Sequence, residues 1–509
     1  MAALGRHYLA EIVSAVELSP LRRGLILATV TSATGLYAMA ITIANVALPK
    51  IQGAFAATPD QVAWVVTFNI LATAVATPLT GWLSGRFGQR RVLLVGVFGF
   101  LLASLLCGLS RTLGELVIFR FMQGAFGAPL APLAQAIVLS SYPRERQGTA
   151  TAIFGMGVVL GPILAPTLGG YLSEAYNWRW VFFMIVPIGA ACFGAIWLFI
   201  HDRREPTPQR LDWTGFIALS AFIACLQLLL DRGGRNDWFE SAETIIEAAL
   251  AVTALYIFIV HSLTERQPFL SPRLLLDRNF VVGLLITVTF GMLNVTPMVL
   301  LPTMLQGLMG YPDTIIGLLL GARAGGTLLG FLVIFFGNRA DPRVWLVLGF
   351  AMQGIAGYQM AQFNLDVSAA EVAWASALQG VGVGLLWVPI TMVTFATLEE
   401  RYLPEGMAIF HLLRNIGSSV HVSISVTLVV YSTQMTYAGL AEYVSPYREP
   451  LVKAIGAGIW SVDSFGGLAS ISAEVQRQAA MVGYINGFYF YALTSLVVLP
   501  FILLVRVKK

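Results

Sequence analysis

The stretch GWLSGRFGQRR (81–91) decides how the rest of the chain reads. It carries Arg86, Arg90 and Arg91 among Gly81, Gly85 and Gly88, closing one apolar run at 61–83 and opening another at 92–109. Each run is long enough to cross a hydrocarbon core about 30 Å thick. A short basic turn between two such runs is what a membrane hairpin presents to the cytoplasm, where Lys and Arg accumulate. Guanidinium groups placed there can clamp neighbouring helix ends through several hydrogen bonds at once.

The pattern repeats along the chain. Of 509 residues, 57% are hydrophobic and 11% charged, against about 25% charged in soluble domains. Fourteen apolar runs are expected to span, near 24–49, 61–83, 92–109, 113–139, 148–172, 180–200, 213–230, 244–262, 280–303, 314–336, 344–362, 371–397, 407–432 and 484–505. The first follows Arg22 and Arg23 and is too long for a cleaved leader. With both termini in the cytoplasm, outside loops keep only Lys50, Arg111, Arg179, Arg232, Arg235, Arg448, Lys453 and Arg477 of the 31 Lys and Arg, while Arg120, Arg323 and Arg414 fall within runs. That asymmetry fixes the orientation, so the formal charge of +4 reflects topology and not nucleic-acid binding. The one long loop, 433–483, is expected outside, either loosely structured or as a docking surface for a periplasmic partner.

Small residues in the runs are spaced for close helix contact: Gly157–Gly161, Gly317–Gly321, Gly321–Gly325 and Gly380–Gly384. In lipid, close backbone approach matters more than the hydrophobic effect. Pro129, Pro132, Pro162, Pro166, Pro297 and Pro389 add bends. Static packing accounts for part of this, and helices that rock for the rest. Cys107, Cys192 and Cys225 all sit in apolar runs without metal or disulfide spacing. No nucleotide loop and no catalytic His/Asp/Glu cluster is present, so no enzyme and no cofactor is expected.

These residues carry a resemblance. Gly81, Leu83, Arg86, Gly88, Arg90 and Arg91 fit the loop between the second and third helices of the major facilitator superfamily, with Gly85 where that family usually has Asp. TIANVALP (42–49), RFMQG (120–124), GPILAPTLGG (161–170), NWRWVFFMIVPIG (177–189), LLDRGGRNDWF (229–239), GLLLGARAGGT (317–327) and LLRNIGSS (412–419) resemble its fourteen-span drug:proton antiporter branch of multidrug exporters. The resemblance implies two six-helix bundles around a central cavity: 24–200 after a cytoplasmic segment 1–23, and 280–505 before a tail 506–509. The linker 201–279 would hold two extra helices. It also implies conformational roles for the 81–91 motif, for Arg120, and for Gly157, Gly161, Pro162, Gly169 and Gly170 of the fifth helix. A periplasmic membrane-fusion adaptor and an outer-membrane duct are implied partners at the inner membrane. Without the usual Asp at Gly85, the clamp leans on helix-end carbonyls instead, or the inward-closed state is weaker.

A second departure concerns charge. Ala40 stands where the relatives usually have an acid tied to protons or cationic drugs, and no Asp or Glu lies near the middle of another run. Arg120, Arg323, Arg414, His411 and His421 remain at depth. A charge at mid-bilayer costs roughly 2.5–3.5 kcal/mol on insertion scales, so such groups face a cavity or a partner. Arg stays protonated; histidine can exchange a proton. His411 and His421 are therefore the candidate proton carriers, each with the alternative of a neutral packing role. A cavity with buried Arg and no carboxylate favours anionic or neutral amphiphiles over cations. Asn45, Asn69, Gln123, Asn294, Arg323, Gln379, Trp387, Arg414 and Asn415 are the candidate cavity residues. The expected function is export by alternating access, in exchange for protons; the alternatives are an uncoupled or importing facilitator and a non-transporting scaffold.

Overall fold

The computed structural model describes residues 19–201, 210–234, 236–337, 341–445 and 464–505. The expected segment before residue 19, the tail 506–509, Arg235, the 446–463 part of the long loop and the side chain of Asn45 lie outside the described residues.

The described chain is helical. In order come α1 (Pro20–Phe55), α2 (Pro59–Ala76), α3 (Leu79–Phe87), α4 (Gln89–Leu109), α5 (Leu113–Gly127), α6 (Leu130–Ser141), α7 (Arg144–Ala175), α8 (Trp180–Phe183) and α9 (Ile185–Phe199). There follow α10 (Trp213–Arg232), α11 (Ala242–Thr264), α12 (Arg278–Met309), α13 (Asp313–Gly337), α14 (Pro342–Met360), α15 (Ala369–Phe395), α16 (Leu403–Ala441), α17 (Phe465–Val497) and α18 (Leu499–Ile502). In lipid only a helix satisfies its own backbone. The polar residues between runs mark where each one starts. Ser19, Thr112, Asp212, Asp277 and Ser368 accept hydrogen bonds from first-turn amides of α1, α5, α10, α12 and α15, which satisfies donors a helix start leaves open. Gly310, at φ +66°, stops α12.

Among the described residues twelve helices are long and apolar enough to span a membrane, or thirteen if α2 and α3, bent by 54° at Thr77–Pro78, count as one. The expected run at 344–362 is helical as α14 but is not among them. The long loop is corrected more sharply. Residues 433–441 and 465–483 are helical, because α16 and α17 run on past the expected spans and pair as a hairpin, with Tyr437 Oη 2.9 Å from Ser472 Oγ.

One apolar core gathers residues from Ile26 to Ile200, a second joins Leu274 to Val505 with Ala136 and Leu139 of the first half, and a third gathers Leu300 to Phe488. Glycine sets the distance between helices, although not always at the expected pairs. A Cβ on Gly161 would lie 2.2 Å from the Gly35 carbonyl; on Gly380, 1.9 Å from that of Arg323; on Gly384, 2.3 Å from that of Thr327. Gly317, Gly321 and Gly325 correct the expectation: nothing lies within 4 Å of a Cβ there, and Gly326 and Gly330 on the neighbouring face make the contact instead. On the fifth helix Gly169 packs on Ile43, while Gly170 is open.

The ends of α1 and α18 share a face, the terminal face. There Arg22 Nη2 meets His201 Nδ1 at 3.0 Å, and Val505 joins Leu274 and Leu403 in one cluster. The two halves of the chain meet toward this face. Phe331 of α13 fills the space over Gly155 of α7, and a Cβ on Gly81 would lie 2.8 Å from Glu405 Cα at the start of α16. Helix α10 touches both halves: Asp231 accepts from Thr67 Oγ1 at 2.8 Å and Gln227 from Ser419 Oγ at 3.0 Å.

Candidate functional site

Three arginines, Arg120 buried and Arg323 and Arg414 half-buried, lack a carboxylate partner among the described residues, and their surroundings differ. Arg120 on α5 lies wholly inside the first half. Its Nε donates to the Val65 carbonyl at 3.2 Å and its Nη1 to Gln123 Oε1 at 2.5 Å, and Gln123 in turn donates to Ser104 Oγ at 2.6 Å. Asn69 donates to the Arg120 carbonyl at 2.8 Å. Asn69 and Gln123, expected as cavity candidates, are 2% and 1% exposed and spend their polar atoms within this packing. The structure thus places them in the walls.

Arg323 on α13 is held as firmly in the second half. Nε donates to Gln379 Oε1 at 2.5 Å, and Nη2 to the Asn294 carbonyl and Oδ1 at 2.8 and 2.7 Å. Gln379 donates on to Tyr491 Oη at 3.3 Å, while Tyr491 donates to Gln353 and Gln353 Nε2 reaches the Gln379 carbonyl at 3.2 Å. Every partner is a neutral oxygen. The charge is delocalised over hydrogen bonds, which is the condition under which a buried cation persists.

Arg414 on α16 is different. Its guanidinium carbon stands 5.3 Å over the Trp387 ring, and its one hydrogen bond of note runs from Nη2 to its sequence neighbour Asn415, 3.1 Å. Tyr37 of the first half donates its hydroxyl to Thr73 Oγ1 at 3.2 Å. Among the described residues no carboxylate pairs with Arg120, Arg323 or Arg414, and no group of His, Cys, Asp and Glu could hold a metal ion.

The two histidines also separate. His411, three residues before Arg414 and thus beside it on the helix, reaches across the halves: Nε2 is 2.9 Å from Gln135 Oε1 on α6, and Gln135 Nε2 donates to Thr391 Oγ1 on α15 at 2.9 Å. His421 stays within the second half. Nδ1 is 2.7 Å from Thr296 Oγ1, Nε2 is 3.2 Å from Thr494 Oγ1, and the ring stacks on Phe490 at 4.8 Å.

In the 81–91 turn Gly88 adopts φ +87°, a conformation that disfavours a side chain. Arg90 Nη2 donates to the Trp197 carbonyl near the end of α9 at 2.7 Å, and Arg86 lies over the Trp82 and Phe87 rings. Arg91 is exposed. Glu405 at the start of α16 packs against Gly81, one turn before Gly85, and accepts from the Ser271 amide at 2.6 Å. Sequence reading missed Gln135, Tyr37 and Glu405. Gln135 was a polar residue in an apolar run and could have been singled out; the other two show no sign before the halves are packed.

A bundle of spanning helices in two packed halves, with a polar seam between them, is the architecture of a membrane carrier. The chain belongs to the major facilitator superfamily, whose sequence pattern matches residues 30–421. It is EmrB-like within that family. It is 34% identical to the multidrug export protein EmrB of Haemophilus influenzae over 93% of this chain and 94% of that one. It is 33% identical to the fatty acid resistance protein FarB of Neisseria gonorrhoeae, over 96% and 97%. To EmrB of Escherichia coli K12 the identity is 35% over 82% of each. The fold also matches the crystal structure of the human organic anion transporter MFSD10, with a TM-score of 0.63 and 12% identity over 95% of this chain and all of that one. The chain is a multi-pass membrane protein of a transporter family.

Proposed function

We propose that this protein exports amphiphilic molecules across the inner membrane by alternating access, in exchange for protons, with a preference for anionic or neutral substrates. The observation that carries the reading is Arg414, a cation on the seam between the halves with no carboxylate partner among the described residues. Bundles 24–200 and 280–505 rock about the linker 201–279, and both termini lie in the cytoplasm, as the Lys/Arg asymmetry supports. The contacts between halves cluster toward the terminal face, so the described conformation is closed there. The relatives named for multidrug export and fatty acid resistance support export and a place for anionic amphiphiles.

His411 is the proton carrier we assign, because it alone of the two buried histidines lies on the seam and must break its contact with Gln135 when the terminal face opens. His421, satisfied on both ring nitrogens within one half, is assigned a packing role. The α16–α17 hairpin is the surface we assign to a membrane-fusion adaptor, to be tested by pull-down with the hairpin shortened. The central test uses proteoliposomes holding a pH-sensitive dye. Addition of an anionic amphiphile should move protons in the wild type and not in folded His411→Ala, while His421→Ala keeps the flux. Transport without proton movement in the wild type removes the exchange from this reading.

A further inference from the structure

The bridge between His411 and Gln135 has a direction, and Thr391 sets it. The Thr391 hydroxyl donates its one proton to the Trp387 carbonyl, a turn back on α15, at 2.9 Å. Its oxygen is then left to accept, so the Gln135 side chain turns its NH2 group toward Thr391, 2.9 Å away. That leaves Gln135 Oε1, which can only accept, facing His411 Nε2 at 2.9 Å. The proton of the neutral imidazole therefore sits on Nε2. Nδ1 is bare, with no hydrogen-bond partner among the described residues, and is the atom at which this ring takes up a second proton.

We infer that Gln135 is the positioning residue that couples the proton to the movement of the halves: it holds the proton on His411 while the terminal face is closed and releases it when that face opens. This rests on His411 as the proton carrier and deepens that reading by naming the group that changes its affinity. A hydrogen bond from a protonated ring is about twice as strong as one from a neutral ring, so the Gln135 acceptor favours the imidazolium. Arg414, one turn further along α16, acts the other way. It shares the Trp387 ring with His411, at 5.3 and 6.1 Å, and its charge disfavours a second cation beside it. The groups that α6, α12 and α15 bring around these rings, Gln135, Phe290, Thr391 and Trp387, carry no charge, and α16 itself adds Phe410. Gln135 belongs to the first half and His411 to the second, so opening the terminal face parts them. The ring then loses its acceptor and keeps its cation. A proton taken up at Nδ1 from water on the far side leaves the same atom for water on the terminal side, and the neutral ring with its Nε2 proton is restored.

The test uses the purified full chain in liposomes holding a pH-sensitive dye. The probe is an alkyl sulfonate, which stays anionic throughout, so the pH profile of substrate-dependent proton flux reports on the protein. Two variants should move that profile in opposite directions. Gln135→Leu removes the acceptor and should shift the midpoint toward acid by about one pH unit. Gln135→Glu offers a carboxylate in its place and should shift the midpoint toward alkali by at least as much. Thr391→Val keeps Gln135 but frees its amide to turn, and should give a smaller acid shift. A loss of packing alone would lower the rate without moving the midpoint both ways. NMR of the chain carrying 15N-labelled histidine reads the tautomer directly, through the signal that disappears in His411→Gln: Nε2 protonated in the wild type, both tautomers present in Thr391→Val. Melting temperatures check folding, and if Gln135→Leu fails to fold, the near-isosteric Thr391→Val carries the test. Wild-type midpoints in both Gln135 variants, or a proton on Nδ1 in the neutral wild type, overturn the role of Gln135 and leave His411 as the carrier. Proton flux absent from the wild type, or surviving His411→Gln, overturns the carrier reading and this inference with it.

Discussion

The two halves solve the same packing problem with different residues. In the first, Thr73 on α2 donates to the Asn69 carbonyl at 2.9 Å, and a Cβ on Gly124 of α5 would lie 2.3 Å from that same oxygen. In the second, Thr327 on α13 donates to the Arg323 carbonyl at 3.0 Å, and Gly380 of α15 approaches that oxygen as closely. A Gln precedes each glycine: Gln123 and Gln379. The frame repeats while the charge moves. The buried cation stands on the fourth helix of the first half and on the second helix of the other. In both places its hydrogen bonds go to neutral oxygens, with Nη2 of Arg120 left without a partner. Arg414, outside either frame, has Asn415 as its side-chain acceptor and lies over the Trp387 ring. Fixed partners make a buried charge part of the scaffold, and fewer of them leave it available to a ligand.

The strongest way to break this comparison is to crowd the repeated frame. Gly380→Ala should abolish the native fold or cost about 3 kcal/mol, since overpacking of 1–3 kcal/mol is ordinary even where side chains can yield and here the obstacle is backbone. Gly321→Ala, two residues before Arg323 on the open face of α13, should stay within about 0.5 kcal/mol. Thermal unfolding in detergent reads both, and equal losses would sink the frame. Next comes Arg120→Leu, which strands the Gln123 side chain and the Val65 carbonyl and should cost about 2 kcal/mol. Arg414→Gln should cost under about 1 kcal/mol, because few protein partners lose anything. If the order reverses, Arg414 is the structural residue and Arg120 the functional one.

A smaller effect lies on the seam. Gln135→Ala removes both bonds of the His411–Gln135–Thr391 bridge and should weaken the terminal closure by about 1 kcal/mol. The expected readout is a severalfold rise in labelling of a cysteine placed at Ser140, with melting temperature nearly unchanged. No change in labelling would mean that the bridge does not hold the halves together.

The smallest expected effect is in the linker. Asp212 is partly shielded from water, which alone would raise its carboxyl. Hydrogen bonds from the Gly215 amide, His261 and the Phe269 amide outweigh that and hold it below the ordinary carboxylate range. A carboxyl lowered on folding contributes stability above its unfolded value of about 3.9, and loses it as the pH falls through the lower folded value. Asp212→Asn should therefore melt slightly earlier than wild type at pH 7, with the gap closing below about pH 4. A gap that persists in acid would assign the effect to packing.

Much of this was legible beforehand, for reasons that differ from residue to residue. Spans follow from apolar length alone, so α1 to α15 fall close to the expected runs, while α16 and α17 overrun theirs. The 81–91 turn was legible because Gly88 and Arg90 act through their own backbone and a neighbouring helix end. The glycine stripe at 317–325 misled, since spacing shows which residues share a face of α13 but not what that face meets. The hairpin of α16 and α17 was hidden because Ser, Gly and Ala in 433–483 suit an exposed helix as well as a loop. Glu405 and Tyr37 could not be found at all: each acquires its setting from a residue far away in the chain.

Helix α16 has one more consequence. At 39 residues and 1.5 Å per residue it is about 58 Å long, more than the roughly 40–45 Å of bilayer with its headgroups. It starts at the Gly81 contact, passes His411 and Arg414, and ends in the hairpin beyond the spans. A rigid rod pinned at one end and tilted by about 10° swings its other end by about 10 Å. On the alternating-access reading proposed above, the occupancy of the interior would be written, as a mechanical displacement, on a surface outside the membrane.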